Sequence, residues 1–394
     1  MIRAIVLLLA MMFSSAGKAE EMSQRFSLFA LCFAADMETS DSETGHCLQQ
    51  QSLRFMLDDS SESSSWATHL KVRNQYFSDA YAYAPKATSP FRYQSLSDSY
   101  ATDCGERDCS RFDYEVDRAL YRWQQSQMDL SIGRQAVDWG SGRFWQPLNV
   151  FGAFSPTDID TDFKNGIDVL TASWYPNPFA SLTGVYQPAM QGEDSGVLHY
   201  RAQFADQLEG AALIGSVIDD WVVGASLEGP MGGFGWRWEM LARQSASDAR
   251  SLFSIAGMDY QFSDGTVLIV EGYYHSDGVD REQQIPMVSD NMLRMANIRP
   301  QLASQLLGVG ASKNFLALWQ GSYLLLFSVM DDIDQQAEIS LLQQVSLTYS
   351  LSDESDLLLL WAAGVGKSRT SEGRVRSEFG DIPWSMAARF RLYF

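Results

Sequence analysis

The 394-residue chain lacks long apolar runs, and this excludes transmembrane helices. Its apolar stretch Ala4–Phe13 follows Arg3 and precedes small residues up to Ala19, which is typical of a secretory signal peptide over residues 1–19. No later stretch supplies the roughly 18 to 20 uninterrupted apolar residues that a spanning helix needs. We therefore predict an exported protein that enters a membrane only as a closed barrel.

The chain also has few cysteines and histidines, four of each. The cysteines form two local pairs, Cys32/Cys47 and Cys104/Cys109, which predict two disulfides in an oxidising periplasm. A zinc site is the weaker alternative because no CxxC pair exists, so we predict no metal. The absence of a phosphate-binding glycine loop and of a haem-attachment motif predicts no cofactor, and the scarcity of histidine predicts that the protein is not an enzyme.

Basic residues are also scarce relative to acidic ones, 29 Lys and Arg against 49 Asp and Glu, for a net charge of −20. This acidity excludes nucleic acid as a partner, since the phosphate backbone repels it. An acidic extracellular surface suits divalent cations that bridge lipopolysaccharide phosphates. Outer-membrane lipid and lipopolysaccharide are therefore expected partners.

What the chain does have is alternation of polar and apolar residues, and it is clearest over Trp384–Phe394. One parity is apolar, and the other carries Arg389 and Arg391, which predicts a strand with one apolar and one polar face. In a transmembrane barrel this is the closing strand, with the arginines facing the lumen. The terminal Phe394 resembles the signal that the barrel-assembly machinery recognises. The edge strand of a soluble sandwich is the alternative.

Comparable runs recur from Trp66 onward and predict an all-β protein, a single antiparallel transmembrane β-barrel of about sixteen strands. The predicted strands are 66–76, 113–124, 127–137, 166–175, 179–187, 196–204, 209–217, 221–229, 233–243, 251–262, 265–275, 310–319, 322–330, 338–350, 356–366 and 383–394. The long connections all follow odd-numbered strands, namely 77–112, 138–165, 276–309 and 367–382. Long extracellular loops and short periplasmic turns are the rule for bacterial barrels.

The domain organisation follows from these patterns. Residues 1–19 are the signal peptide, and residues 66–394 are the outer-membrane barrel. Residues 20–65 show few strand patterns, and we predict that they form a periplasmic N-terminal segment or a small plug.

Strand parity places many arginines inside the predicted barrel. The inward set is Arg118, Arg122, Arg201, Arg237, Arg389 and Arg391. Two interpretations stay open. The arginines pair with lumen carboxylates such as Glu239 and Glu271 and brace the wall, or they form a charged pore lining that selects permeants.

The segment Gln127–Asp168 departs from regular alternation. Parity fails at Gly133, and a bulge there would turn Arg134 toward the lumen. The following stretch, 138–165, is too apolar to stay in water, and we expect it to fold back into the barrel mouth as a constriction. Its aromatic residues are Trp139, Phe144, Trp145, Phe151 and Phe154.

The same segment contains GRQ, WGSGRFW, PLNVF, FSPTDID and FKNGID. It resembles a largely uncharacterised family of proteobacterial outer-membrane β-barrels that is porin-like and distantly like the alginate-export barrels. The resemblance implies a channel for small solutes or for an anionic polymer. It places these residues at or near the constriction: Arg134, Gln135, Arg143, Asp158, Asp160, Asp162 and Lys164.

The acidic run DIDTDF departs from the electropositive tunnel of an alginate-type exporter and argues against polyanion export. Asp158, Asp160 and Asp162 stand at every second position, as calcium ligands often do. The full calcium-loop pattern is missing, so a solvated acidic loop is favoured over a metal site.

Together these observations predict a passive porin-like channel for small hydrophilic solutes, with charged ones among the candidates, constricted by the inward-folded 138–165 loop. Its partners are the small solute permeants and the surrounding lipid, and it is either a monomer or a homotrimer. The alternatives are an exporter of an anionic polymer and a plugged accessory barrel that anchors an envelope complex. A lumen filled by residues 20–65 would favour the plugged barrel.

Overall fold

The computed structural model describes residues 21–35, 44–78, 89–102, 109–190, 192–205, 207–287, 300–370 and 374–394. These residues form nineteen strands and one short 3-10 helix, Glu282–Met287. No helix among them is long and apolar enough to cross a membrane. The strands are β1 (Glu21–Ala35), β2 (Thr44–Ser60), β3 (Ser64–Phe77), β4 (Ser97–Ala101), β5 (Cys109–Gln125), β6 (Met128–Gln135), β7 (Ile167–Asn177), β8 (Ala180–Gln187), β9 (Ser195–Ala205), β10 (Leu208–Val217), β11 (Asp220–Met231), β12 (Phe234–Gln244), β13 (Arg250–Gln261), β14 (Val267–His275), β15 (Gln305–Leu316), β16 (Trp319–Asp331), β17 (Ala337–Ser352), β18 (Ser355–Val365) and β19 (Ser385–Tyr393).

Eighteen of these strands close into one antiparallel barrel, and β4 lies outside the ring. Each barrel strand pairs with its neighbours along the chain, except that β3 pairs with β5. The ring closes where β19 pairs with β1, from Arg25 opposite Tyr393 to Phe33 opposite Ser385. β4 pairs with the upper part of β5, beyond the end of β6. The predicted all-β antiparallel barrel is confirmed, but the predicted count of about sixteen strands is wrong.

The two additional wall strands are β1 and β2, so residues 21–35 and 44–60 form neither a plug nor a separate periplasmic segment. Their alternation is broken for a physical reason. Phe29 and Leu31 share the inward parity of Arg25 although they are apolar. They pack against a buried apolar cluster of the wall, formed by Leu360, Ala362 and Ala387, as does Ile159 of a loop inside the barrel. In β2 the polar run 49–51 interrupts the pattern.

The outer face of the wall is apolar and exposed, whereas the inner face carries buried polar side chains. This division is what a barrel surrounded by acyl chains needs, because a charge on the outer face costs a few kcal/mol at the bilayer midplane. Outward side chains include Leu198, Ile214, Val223, Ile339 and Met386.

One predicted disulfide, Cys32–Cys47, joins β1 to β2 across a directly opposed pair. Cys104 of the other predicted pair lies outside the described residues, as does the predicted signal peptide.

Connection lengths divide the two ends of the barrel. The four long connections, 78–108, 136–166, 276–304 and 366–384, all leave the same end. The opposite end has turns of two to five residues. The predicted segregation of long and short connections is therefore confirmed.

Candidate functional site

The connection between β6 and β7, residues 136–166, lies inside the barrel and is called the inward loop here. It contacts the inner face on two opposite parts of the wall. Its first arm, residues 138–149, contacts β12 and β14. Its second arm, residues 155–165, contacts β1 and β19.

Two wall carboxylates, Glu239 of β12 and Glu271 of β14, hold the first arm through its backbone amides. Both glutamates are completely buried. The Glu239 carboxylate accepts hydrogen bonds from Ser141 N and Oγ (2.8 Å for Oγ), Gly142 N (2.8 Å) and Leu148 N (3.2 Å). The Glu271 carboxylate accepts from Arg143 N, Phe144 N and Trp145 N, each at 2.9 Å. Seven donors thus converge on two carboxylates, and such charge-assisted bonds are about twice as strong as neutral ones.

Aromatic packing completes this attachment. The Trp145 ring lies 5.1 Å from the Tyr273 ring of β14, and Trp139 stacks on His199 of β9 with centroids 4.6 Å apart. Gly308 of β15 lies under Phe144, and a Cβ there would approach the Phe144 ring to 2.5 Å. A side chain at position 308 would therefore push the first arm off the wall.

The second arm is attached by ion pairs instead. Asp162 contacts Arg25 of β1 at 3.0 Å and two side chains of β19, Arg391 and Tyr393, each at 2.5 Å. Asp160 also pairs with Arg25. Because β1 and β19 are the first and last strands, Asp162 bridges the seam at which the barrel closes.

Neighbouring side chains extend this contact. Arg389 of β19 donates to the Ile159 carbonyl, and Phe163 lies under the Arg54 guanidinium of β2, 4.1 Å from its centre. A cation over an aromatic face is attracted by the negative face of the ring. The second arm therefore rests on a basic part of the wall.

The pKa values of the two outer aspartates of DIDTDF are shifted in opposite directions. Burial raises the pKa of the Asp158 carboxyl, and the nearby Asp160 charge acts in the same direction. Burial also opposes ionisation of Asp162, but hydrogen bonds from Tyr393 and Arg391 outweigh it and hold the pKa of this carboxyl below its ordinary value. The difference follows from the partners, since Asp158 accepts only from Ser155 N, at 2.8 Å.

Two cavities flank the inward loop, each of about 400 Å³. The basic cavity lies between the second arm and β1–β3, and it is lined by four basic and two acidic side chains, namely Arg25, Arg54, Lys71 and Lys164 with Asp158 and Asp160. The mixed cavity lies between the first arm and β8–β11, and its charged lining is Arg143, Arg201, Asp138, Glu209 and Glu228. Among the described residues Lys71 has no ion-pair partner, so its charge is free to face the basic cavity.

The sequence-predicted arginines fall into two groups. Three are at least half exposed and reach open lumen, with side-chain exposures of 50% for Arg122, 54% for Arg143 and 56% for Arg201. The others are largely buried and bonded within the protein. Arg118 donates to the Lys164 carbonyl, Arg237 pairs with Asp259, and Arg389 and Arg391 hold the second arm as described above. The buried group thus braces the protein. The exposed group also includes ion pairs, Arg122 with Asp129 and Arg201 with Glu209, but keeps half or more of each side chain exposed.

Arg134, which was predicted at or near the constriction, is bonded to protein groups on all sides of its guanidinium. Only 1% of Arg134 is exposed, and it lies next to the last residue of β6. Its guanidinium binds both carboxylate oxygens of Asp168 at 2.7 and 2.8 Å and donates to the carbonyls of Val116 and Gln94. Gly133 has φ +120°, yet the β5–β6 pairing runs through it without a shift. The registry shift lies in the β3–β5 pairing instead, next to Asp117.

The remaining predicted residues lie beside the inward loop. Gln135 is buried and accepts a hydrogen bond from Ser131 Oγ at 2.7 Å. Lys164 pairs with Asp138 at 3.0 Å and so joins the two arms. In the part of the chain that the structure describes, no cluster of side chains suits a metal ion. The aspartates considered as calcium ligands are engaged elsewhere, Asp160 and Asp162 by arginines and Asp158 by a backbone amide.

Sequence reasoning missed the contributions of Arg25 and Arg54, because the strands that carry them were missed. The alternation in RFSLF and SLRFML was the available signal. In β12 and β14, strand parity placed Glu239 and Glu271 inside the barrel, but it did not indicate that a loop would bind them.

No protein-family model and no curated protein matches the chain. Solved structures of similar fold include Acinetobacter baumannii OccAB4, with a TM-score of 0.59 at 10% identity over 96% of this chain and 100% of that one. The Pseudomonas aeruginosa OpdK structure with vanillate gives the same values. A further structure of the P. aeruginosa outer membrane protein OpdK has a TM-score of 0.55 at 9% identity, over 96% and 100% of the two chains. At these identities the similarity concerns the fold, and it gives no support to a likeness to alginate-export barrels.

Proposed function

We propose that the protein is an outer-membrane channel through which small hydrophilic solutes diffuse passively, with the inward loop as its constriction. The observation that carries this proposal is a closed barrel whose lumen holds a firmly attached loop with an open cavity on each side. The fold shared with OccAB4 and OpdK supports the outer-membrane location and the channel class. A plugged accessory barrel lost its main support when residues 21–35 and 44–60 proved to be wall strands.

The charge of the basic cavity favours small anions as permeants. Three of the four lining cations are paired, Arg25 with Asp160, Arg54 with Asp117 and Lys164 with Asp138. The positive charge that a solute would meet there is that of Lys71, which has no ion-pair partner among the described residues. A positive constriction in a low-dielectric wall raises the local concentration of anions. The OpdK structure contains vanillate, a carboxylate, and this makes vanillate a suitable first probe.

The test is conductance of the purified protein in planar bilayers under a KCl gradient. We expect open channels, a reversal potential on the anion-selective side, and a reduced chloride current when vanillate is added. Substitution Lys71→Gln should move the permeability ratio toward cations, because Lys71 lines the basic cavity with an unpaired charge. Lys313→Gln is the matched control, since Lys313 pairs with Asp264 near the short-turn end. No channels, or equal ratios for wild type and Lys71→Gln, would contradict the proposal.

The protein also presents an exposed apolar outer wall, so lipid is its expected surroundings. Contacts with lipopolysaccharide, recognition of Phe394 by the assembly machinery, the monomeric or trimeric state and the absence of enzymatic activity stay predictions from the sequence.

A further inference from the structure

Glu239 and Glu271 are unusual among the buried charges of this barrel because neither is within ion-pair distance of a cation in the described residues. The buried aspartates differ in this respect, as shown by Asp117 with Arg54 at 2.7 Å and Asp113 with Arg73 at 2.8 Å. An ionised carboxylate without water or a partner is very costly to bury. What compensates these two glutamates is the set of seven donors from the first arm.

The hydrogen bonds to Glu271 fix the position of the Arg143 side chain as well as that of the loop backbone. Three consecutive amides, of residues 143 to 145, point at one carboxylate on the wall. The Arg143 side chain extends away from that anchor, stays 54% exposed and lines the mixed cavity. Its nearest acid, Asp259, is 4.0 Å away, at the limit of an ion pair. The position of this lumen charge therefore depends on where Glu271 holds its amide.

We propose that Glu239 and Glu271 are positioning residues that set the ion selectivity of the channel by holding the charge of Arg143 in the open lumen. The proposal rests on the proposed channel function. If the proposal holds, removing either glutamate changes the ion selectivity in the direction opposite to that expected from the loss of a negative charge. Removing a lumen carboxylate should favour anions by simple electrostatics, whereas releasing Arg143 from the constriction should favour cations.

The experiment is a double-mutant cycle on the permeability ratio of the reconstituted full-length protein in a KCl gradient. Arg143→Ala should shift the ratio toward cations. Glu271→Ala should shift it in the same direction although a negative charge is removed. The double variant should equal Arg143→Ala alone, because residues that act through one another are not additive. Glu239→Ala should shift the ratio as Glu271→Ala does.

Two further substitutions separate position from charge. Glu271→Gln is neutral and keeps one carbonyl oxygen for the amides of Phe144 and Trp145, but its NH2 group replaces the oxygen that accepts from Arg143 N. It should therefore show a smaller shift toward cations than Glu271→Ala. Glu271→Asp keeps the charge but withdraws the acceptor by one methylene, so it should show that shift. Glu271→Asp also serves if an alanine variant fails to fold, which heat-modified mobility on gels reports.

Three results would overturn the proposal. They are a shift toward anions in Glu271→Ala, additive shifts in the double variant, and a ratio unchanged by Arg143→Ala. Failure of the proposed function would look different, since the wild-type protein would then open no channels at all.

Discussion

The two arms of the inward loop are fixed to opposite sides of the barrel by different chemistry. The first arm offers neutral backbone donors to buried wall carboxylates. The second arm offers its own carboxylates to wall arginines, at a site where Asp160 is 39% and Asp162 25% exposed. The first attachment is therefore dry and independent of most side chains in the loop, whereas the second is partly hydrated and depends on two particular aspartates.

Because of this difference, the two attachments should respond differently to salt and to pH. Ion pairs that water reaches are weakened by salt and by protonation, and buried hydrogen bonds much less so. The second arm also spans the closing seam between β1 and β19, so its release affects the barrel as well as the loop. The first arm, by contrast, positions the lumen charge of Arg143.

The largest effect is expected from removing an acceptor under the first arm. Glu239→Ala leaves four donors without a partner, and at about 1 to 3 kcal/mol for each buried group the loss should reach about 4 kcal/mol after partial hydration. Urea unfolding of the protein in lipid vesicles, followed by tryptophan fluorescence, measures the change. Glu338→Ala is the control, because Glu338 is 41% exposed in its pair with Lys367 and should cost less than about 1 kcal/mol. Equal losses for the two variants would contradict the account of the first arm.

A somewhat smaller loss should follow from breaking the second arm. Asp162→Ala removes the shared partner of Arg25 and Arg391 and should cost about 2 kcal/mol, the range of a hydrogen bond to a charged group, because Asp160 and Asp356 still pair with the two arginines. The same unfolding assay applies, with Asp158→Ala as the control, since Asp158 accepts only a backbone amide. Raised salt should narrow the difference between Asp162→Ala and wild type. A difference that persists undiminished in high salt would show that the contact is not electrostatic.

Acid should release the second arm gradually. The pKa of Asp162 is lower in the folded protein than in the unfolded chain, so its contribution is complete above the unfolded value, about 3.9, and is lost as pH falls through the folded value. We therefore expect the stability gap between wild type and Asp162→Asn to be constant near neutrality and to close only below about pH 4. Unfolding midpoints measured across this range test it. A gap that closes well above pH 5 would contradict the lowered pKa.

The smallest effect is expected at the contact that joins the arms. Lys164→Gln breaks the ion pair with Asp138, whose side chain is 57% exposed, and should cost about 0.5 kcal/mol. Combined with Asp162→Ala, it should add its own cost without further coupling if the arms are held independently. A coupling energy above about 1 kcal/mol in that double-mutant cycle would show that the arms behave as one unit.

The sequence predicted the wall strands whose two faces differ in polarity, and it missed β1 and β2, in which that alternation is interrupted. In β12 the alternation of Arg237 and Glu239 with outward tryptophans identified both the strand and its faces. In β1 the inward Phe29 and Leu31 pack against a buried apolar cluster, to which Ile159 of the inward loop also packs, so an apolar residue on the inner face is stable there. Strand parity alone cannot distinguish such a wall strand from a weakly apolar segment that lies outside the wall.

The candidate site was predictable in its parts but not in its assembly. The aromatic content of 138–165 correctly indicated a loop that folds inward, and parity placed Glu239 and Glu271 on the inner face. Their partners are backbone amides 91 to 128 residues away in sequence, and every residue has such an amide. For Arg134 the motif likewise gave the residue but not its partner, which is Asp168 of β7.

The most direct test of the central claim, that the inward loop narrows a conducting lumen, is the single-channel conductance of wild type and of a variant lacking residues 141–160. We expect wild type to conduct, and we expect the deletion to raise the conductance while the variant still migrates as a folded barrel. Equal conductance in the two proteins, or no channels in either, would contradict it.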